Sequence, residues 1–419
     1  MKLLAMAERY QRPAWVRRMN AMGDAVGGAR HVVPVDADEL LARAVETTGF
    51  ADFGDFGDGD WRKAYRRIAE GLDAAGLHTV GRLLTREELL RSLRARLLMA
   101  KAWAGAPAIA RERIEAPVIV TGPARSGTTI LFELLALDPA LHAPLAWEAL
   151  HPLPLPDTGP GDRRLELSEC EQELWADVQP EFAAIHELRS DLPVECVTLT
   201  APCFSGPHWT MCLQIPDVVP DVAAFYAFHR AILQTLQHRQ AGADSEPSTP
   251  RRTWLLKTPG HLATLPQLFA TYPDAWVVQT HRDPCRTMPS TVSTTAMVQW
   301  LRSDHVDLER MSAVIGAIFS GALLGVIEQR RSGAVPQRFV DVHFQDLLRD
   351  PVATLRAAYE GMGREFSPGH AERVRRYLAE KPQGKFGKHR YSPEEWGFDA
   401  AELRERLKPY TDHYGVALE

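Results

Sequence analysis

Residues Pro117–Leu137 read PVIVTGPARSGTTILFELLAL. The opening Val118-Ile119-Val120 is apolar and β-branched between Pro117 and Gly122, the pattern of a strand buried in a parallel sheet. From Gly127 the period changes, and Ile130, Leu131, Leu134 and Leu135 fall on one face of a helix that Asp138-Pro139 ends. The joint, Gly122-Pro123-Ala124-Arg125-Ser126-Gly127-Thr128-Thr129, has glycines where the chain must turn tightly and approach a ligand closely. A strand, a glycine loop and a helix N-terminus bring unpaired N–H groups and the positive end of a helix dipole to one point, which predicts an anion site.

The spacing approaches the phosphate-loop pattern G-x-x-x-x-G-K-[ST], but Thr128 stands where that pattern has Lys. Without that Lys the β- and γ-phosphates of ATP lose a cation, which weakens a kinase or NTPase reading. Arg125 places a guanidinium inside the loop instead, beside the hydroxyls of Ser126, Thr128 and Thr129. Such a fork suits a phosphate or a sulfate, which it can grip with two parallel hydrogen bonds.

Around this stretch the composition is that of a soluble globular chain: 419 residues, 45% hydrophobic and 24% charged, enough for one large or two ordinary domains. A net charge of -6 gives no basic field for nucleic acid or an acidic membrane surface, so neither is expected as a partner. Cys170, Cys196, Cys203, Cys212 and Cys285 are odd in number and contain no C-x-x-C pair, which argues against a disulfide framework or a zinc motif and fits a reducing cytoplasm. The apolar run in MKLLAMAERYQRP is too short for a secretory signal, so a cytoplasmic location is expected. Met311–Ile327 carries no charge and contains Gly321-x-x-x-Gly325. It falls short of the roughly 20 apolar residues of a membrane span and is expected to be a buried core helix.

Residues 1–115 read as a helical extension, with helical stretches at 39–47, 61–75 and 85–104, ahead of an α/β domain over residues 116–419. The acidic, glycine-rich Gly49–Asp60 reads as a solvated loop; its aspartates hint at a calcium site, but Arg66 stands where the frame from Asp55 needs the closing Glu. His142–Pro156 holds four prolines and predicts a loop with apolar walls returning toward the anion site. Among its titratable groups, His142, Glu148 and His151, apolar neighbours should raise the carboxyl pKa and lower the imidazoles. Residues 168–226, including His186 and the aromatic run Phe204–Trp209, are assigned to the acceptor region, and 240–253 to a polar linker.

A second block completes the sheet. Trp254-Leu255-Leu256 reads as a strand ending at Lys257, and a helix follows over residues 262–270. Ala275–Gln279 is a strand ending at Thr280-His281-Arg282-Asp283-Pro284, a helix carrying Ser290 follows, and 338–343 is a further strand. Alternating strands and helices predict a doubly wound parallel α/β sheet, with Lys257 and Arg282 on the strand ends where such sheets bind ligands. Taken singly, either cation could be an ion-pair partner of Asp274 or Asp283.

With both blocks in view, the chain resembles the sulfotransferases that use 3′-phosphoadenosine-5′-phosphosulfate (PAPS). Arg125-Ser126-Gly127-Thr128-Thr129 is similar to their 5′-phosphosulfate loop, the Arg being closer to the tyrosylprotein branch and bacterial relatives than to the cytosolic branch. Arg282 and Ser290, eight positions on (290 - 282 = 8), resemble the 3′-phosphate motif. Lys257 matches a lysine that contacts the scissile region, and Gly384–Tyr391, with Gly387, Lys388 and His389, resembles the loop closing over the 3′-phosphate. The resemblance implies a P-loop-like fold, PAPS as co-substrate without a metal, and in-line sulfuryl transfer to a hydroxyl, or an amine, of a small or lipid-like acceptor. Glu148, at an offset of 148 - 125 = 23, resembles the catalytic glutamate of the tyrosylprotein branch; His151, His142 and His186 are its rivals as general base. The competing readings are a P-loop kinase with Asp341 on magnesium, and a nucleotide-binding protein without turnover.

Overall fold

The computed structural model describes residues 3–419 apart from 157, 158, 160, 185, 186, 216, 217, 242–251 and 381–391. His186 and the loop holding Gly387, Lys388 and His389 lie outside the described residues. The sheet has five parallel strands, β1 (Val118–Thr121), β2 (Leu141–His142), β3 (Thr253–Lys257), β4 (Trp276–His281) and β5 (Phe339–His343), in the order β2-β3-β1-β4-β5. The chain runs from β1 to one edge and back through β3, then crosses to β4 and β5 on the other side of β1. The crevice at the carboxyl end of β1 is therefore the switch point at which open α/β sheets take ligands.

Side chains alternate across the strands. Ile119, Leu256 and Val277 pack on one face with helices Val222–Ala241, Pro284–Trp300 and Leu308–Ser332, while Val118, Val120, Leu255 and Val278 pack on the other with helices Thr128–Ala136, Pro351–Gly361 and Pro368–Glu380. Each of these aliphatics contributes roughly 1.5–3 kcal/mol by leaving water. A sheet covered on both faces is the doubly wound architecture that the sequence predicts.

The N-terminal helices Ala37–Thr48, Trp61–Gly71 and Thr79–Gly105 pack a second core together with Phe204, Trp209, Val292, Met297 and Met311. Between the first two, the 49–60 stretch has no regular structure and is solvated only in part: Asp52, Asp55 and Asp60 are exposed as expected, but three other side chains are not. Phe53 and Phe56 are buried, and Asp58 is wholly enclosed with Arg96, whose guanidinium donates to both of its carboxylate oxygens at 2.5 and 3.2 Å. Its charges belong partly to an internal ion pair, invisible to local composition because the partner lies 38 residues away.

Two more expectations need correction. His142–Pro156 is not all loop: Leu141–His142 pairs with β3, and Ala146–Leu150 forms a helix because the prolines flank it and Glu148 accepts the Leu145 N–H at 3.0 Å. The Leu308–Ser332 helix is long and apolar enough to cross a membrane, and it packs Met311, Gly316, Leu323 and Val326 inward. Val314 and Ile318 are exposed, so the expected core helix is buried along one face only. Ala313, Ala317 and Gly321 on that outer face offer little area to bury.

Candidate active site

The loop after β1 is built as its glycines suggest. Gly122 has φ +140° and faces Thr280, whose carbonyl oxygen would lie 2.7 Å from any added Cβ. Gly127 (φ +89°) precedes the Thr128–Ala136 helix and lies against Phe344; no side chain caps that N-terminus, so its first N–H groups are available to an anion. Arg125 is exposed and itself adopts a left-handed φ of +67°. Ser126 is buried, its hydroxyl 2.5 Å from Pro123 O and 2.5 Å from the Thr280 hydroxyl, which ties the loop to β4. The Ser126 side chain therefore shapes the loop, and the hydroxyls of Thr128 and Thr129 stand on the helix's first turn.

Lys257 ends β3 beside this turn. Its ammonium donates to Thr129 Oγ1 at 3.1 Å and pairs with Glu195, whose second carboxylate oxygen accepts from the Thr258 hydroxyl at 3.2 Å. Glu195 directly precedes the Cys196–Leu199 helix. On the other side of β1, Arg282 follows β4 and donates to the Arg125 carbonyl at 2.9 Å, its guanidinium lying 4.0 Å over the Phe344 ring. Nε and Nη2 of Arg282 donate to the two carboxylate oxygens of Glu419 at 2.7 and 2.8 Å. Ser290 lies buried in the helix that Asp283 caps. The partners of Lys257 and Arg282 are thus Glu195 and Glu419, not Asp274 or Asp283.

Glu148 is arranged differently. It is buried, accepts the Leu145 N–H, and lies 3.5 Å from His142 Nε2; His142 also meets Gln240 and the Trp254 ring. Burial would raise its pKa as expected, but His142, the Leu145 N–H and Arg164 outweigh burial and lower it. His151 bonds Glu171 at 3.2 Å and lines a groove of about 390 Å³ with Pro154, Leu155, Arg164, Leu167 and Cys170. Asp341 accepts both Nη1 and Nη2 of Arg330, at 2.7 and 2.8 Å, and lies 2.9 Å from His281 Nε2. A carboxylate so engaged is a structural ion-pair partner rather than an open magnesium ligand.

This loop, strand order and pair of cation-tipped strands coincide with a match of residues 117–368 to the model of the sulfotransferase family. The chain belongs to the sulfotransferase family. It is 24% identical over 330 residues, 71% of this chain and 75% of the relative, to the omega-hydroxy-beta-dihydromenaquinone-9 sulfotransferase Stf3 of Mycobacterium bovis. Among solved structures, sulfotransferase STF9 from Mycobacterium avium superimposes with a TM-score of 0.78, at 24% identity, over 92% of this chain and 98% of the other. Sulfotransferase STF1 from Mycobacterium tuberculosis H37Rv does so at 0.69, with 28% identity, over 90% and 99%. This sulfotransferase therefore has the P-loop-like fold, and it is an enzyme.

Arg125, Thr128, Thr129, Lys257 and Arg282 meet around one crevice, and beside them stands a carboxylate that sequence reasoning missed. Glu195 stands 62 residues before Lys257 in a stretch with no motif, and only the fold brings the two together.

Proposed function

We propose that this sulfotransferase moves the sulfuryl group of PAPS to a hydroxyl of a lipid-like acceptor in the cytoplasm. The observation that carries the reading is Lys257, a buried ammonium bridging the first turn of the anion-loop helix and the Glu195 carboxylate. In this reading Arg125 and the N–H groups of Thr128 and Thr129 hold the 5′-phosphosulfate, and Arg282 with Ser290 holds the 3′-phosphate; the resemblance of the loop over residues 125–129 adds Ser126 and Gly127, and that of the loop over residues 384–391 adds Gly387, Lys388 and His389. The acceptor oxygen attacks sulfur in line, the sulfur–oxygen bond to the 5′-phosphate breaks, and 3′,5′-ADP leaves. Lys257 is placed to stabilise charge building on the bridging oxygen.

The acceptor proton needs a base, and Glu195 is the carboxylate that contacts Lys257. When donor phosphosulfate draws Lys257 toward itself, Glu195 is released to accept that proton. Glu148 remains the second reading, supported by its offset from Arg125. The lipid-like acceptor is supported by the menaquinone-derived substrate in the name of the Mycobacterium bovis relative. The test is radiolabel transfer from PAPS to a panel of long-chain alcohols and hydroxylated prenyl quinols, with labelled ATP in parallel. Label should pass from PAPS alone; transfer from ATP and none from PAPS would reinstate the kinase reading.

A further inference from the structure

Behind the Lys257–Glu195 pair lies a cluster that the sulfuryl-transfer reading does not use. Cys196 opens the helix after Glu195, His229 sits mid-way along the Val222–Ala241 helix, and His261 lies in the 3₁₀ turn Pro259–Thr264 that follows β3. Cys196 and His229 are completely buried and His261 nearly so, and one ligand atom from each lies within 4.8 Å of the others. His229 Nδ1 is 2.7 Å from the Tyr272 hydroxyl, and His261 Nδ1 is 2.7 Å from the Tyr226 hydroxyl, which also meets Thr264 Oγ1 at 2.9 Å. The other nitrogen of each ring, Nε2, is buried without any hydrogen-bond partner.

We propose that Cys196, His229 and His261 bind one zinc-type transition-metal ion through the thiolate and the two Nε2 atoms. Two orphaned ring nitrogens in one buried cluster cost about 1–3 kcal/mol each, and a shared cation satisfies both at once. One thiolate and two imidazoles form a donor set for Zn²⁺, Co²⁺ or Cu⁺ rather than for Mg²⁺ or Ca²⁺. Zinc–donor bonds of about 2.0–2.3 Å place donors roughly 3.5 Å apart in a tetrahedron, so side-chain shifts of about 1 Å close the cluster onto an ion. The tyrosine hydroxyls on the Nδ1 atoms do what outer-shell partners of ligating histidines do, fixing tautomer and ring orientation. Burial also keeps both imidazoles neutral, pushing His229 down to about 3 and His261 well below its ordinary value. The thiol proton leaves to solvent on binding.

The sequence shows no metal motif here because the ligands come from three segments, at intervals of 229 - 196 = 33 and 261 - 229 = 32 residues. An ion at this point ties the helix that follows Glu195 to the turn that follows Lys257, so its role is to position the site, with no part in the transfer itself. The inference rests on the cluster alone and stands whatever the sulfuryl donor.

The probe is Co²⁺ added to the full chain after chelation and dialysis, with circular dichroism to confirm that the chain is folded. Wild type should take up about one equivalent, show a near-ultraviolet thiolate-to-cobalt absorption band, and lose it to added Zn²⁺. Cys196→Ser should lose the band, His229→Ala and His261→Ala should weaken uptake at least ten-fold, and Cys170→Ser, at the exposed cysteine, should change nothing. Should a core variant unfold, X-ray absorption of the zinc-loaded wild type decides instead, by showing one sulfur with nitrogen neighbours or nitrogen and oxygen only. Folded wild type that takes up no Co²⁺, a band that survives Cys196→Ser, or a sulfur-free shell would each overturn the proposal.

Discussion

Lys257 is buried, and its side-chain nitrogen meets both Thr129 and Glu195. That geometry suits a cation whose interaction strengthens as negative charge develops on a leaving phosphate, so its removal should fall on kcat rather than on ground-state binding. Lys257→Ala is expected to lower kcat by about 10²-fold or more with little change in 3′,5′-ADP affinity, read by steady-state kinetics and calorimetry. The reverse pattern, normal turnover and lost nucleotide binding, would make Lys257 a positioning group. The two glutamates separate by the same logic. Glu195→Gln keeps shape and removes charge next to Lys257, and about a 10²-fold loss in kcat is expected. In Glu148→Gln, the loss falls on the contacts with His142 and the Leu145 N–H, so turnover should stay within a few-fold of wild type while stability drops by about 1 kcal/mol. Intact turnover in Glu195→Gln with a collapse in Glu148→Gln would return the base to Glu148. As candidates, Arg125, Lys257 and Arg282 were legible because each sits at a strand end or in a glycine loop. Glu195 was not, since its meaning lies in a contact across 62 residues.

Among elements, the loop after β1 and the end of β4 are coupled: Arg282 donates to the Arg125 carbonyl, and Phe344 lies under both the guanidinium and Gly127. The segment after helix Ala400–Tyr414 adds a competitor. Glu419 occupies Nε and Nη2 of Arg282 with two oxygens, the fork geometry a 3′-phosphate would use, and its N–H donates to Asp283. Arg282→Ala should therefore weaken 3′,5′-ADP far more than 5′-AMP in calorimetry, and equal losses would detach Arg282 from the 3′-phosphate. Glu419→Gln should tighten 3′,5′-ADP by up to about five-fold and leave 5′-AMP alone, the worth of a partly exposed ion pair. Unchanged affinity for both nucleotides would show that Glu419 does not compete. At this scale the sequence was most readable where strands are buried on both faces, as at Val118–Val120 and Trp254–Leu256. It misled where polar composition hid a long-range partner, as for Asp58 with Arg96, and where prolines bracketed a short helix at Ala146–Leu150.

For the molecule as a whole, the N-terminal helices and the α/β part meet in a buried charge cluster. Glu88, on helix Thr79–Gly105, accepts from Arg302 at 2.7 Å and lies 3.5 Å from His208 of helix Pro207–Cys212, whose own Cys212 sulfur is 3.9 Å from the same imidazole. Burial alone would lower the His208 pKa, but Cys212 and Glu88 outweigh it and push the imidazole up to about 9. Burial would likewise raise Glu88, and Arg302, His208 and Arg91 together hold it below its ordinary value. The folded protein thus binds the His208 proton more tightly than the unfolded chain, whose imidazole titrates near 6.5. Stability from charged His208 is complete below about pH 6.5 and is lost as pH rises toward 9. Urea unfolding midpoints of wild type should fall between pH 6 and 8.5 by an amount on the order of 1–3 kcal/mol at most, since the Cys212 thiol, which burial would raise but His208 and Arg302 hold below its ordinary pKa, ionises more readily in the folded protein and offsets part of the loss. In His208→Gln that slope should flatten, with lower stability at pH 6 because Glu88 loses one of its three cationic neighbours. Arg302 stays paired with Glu88 in that variant, so the joint between the N-terminal helices and helix Pro284–Trp300 persists and the variant should still fold. Parallel curves for the two proteins across the window would mean that His208 carries no linked proton and that the joint is held by Arg302 and Glu88 alone.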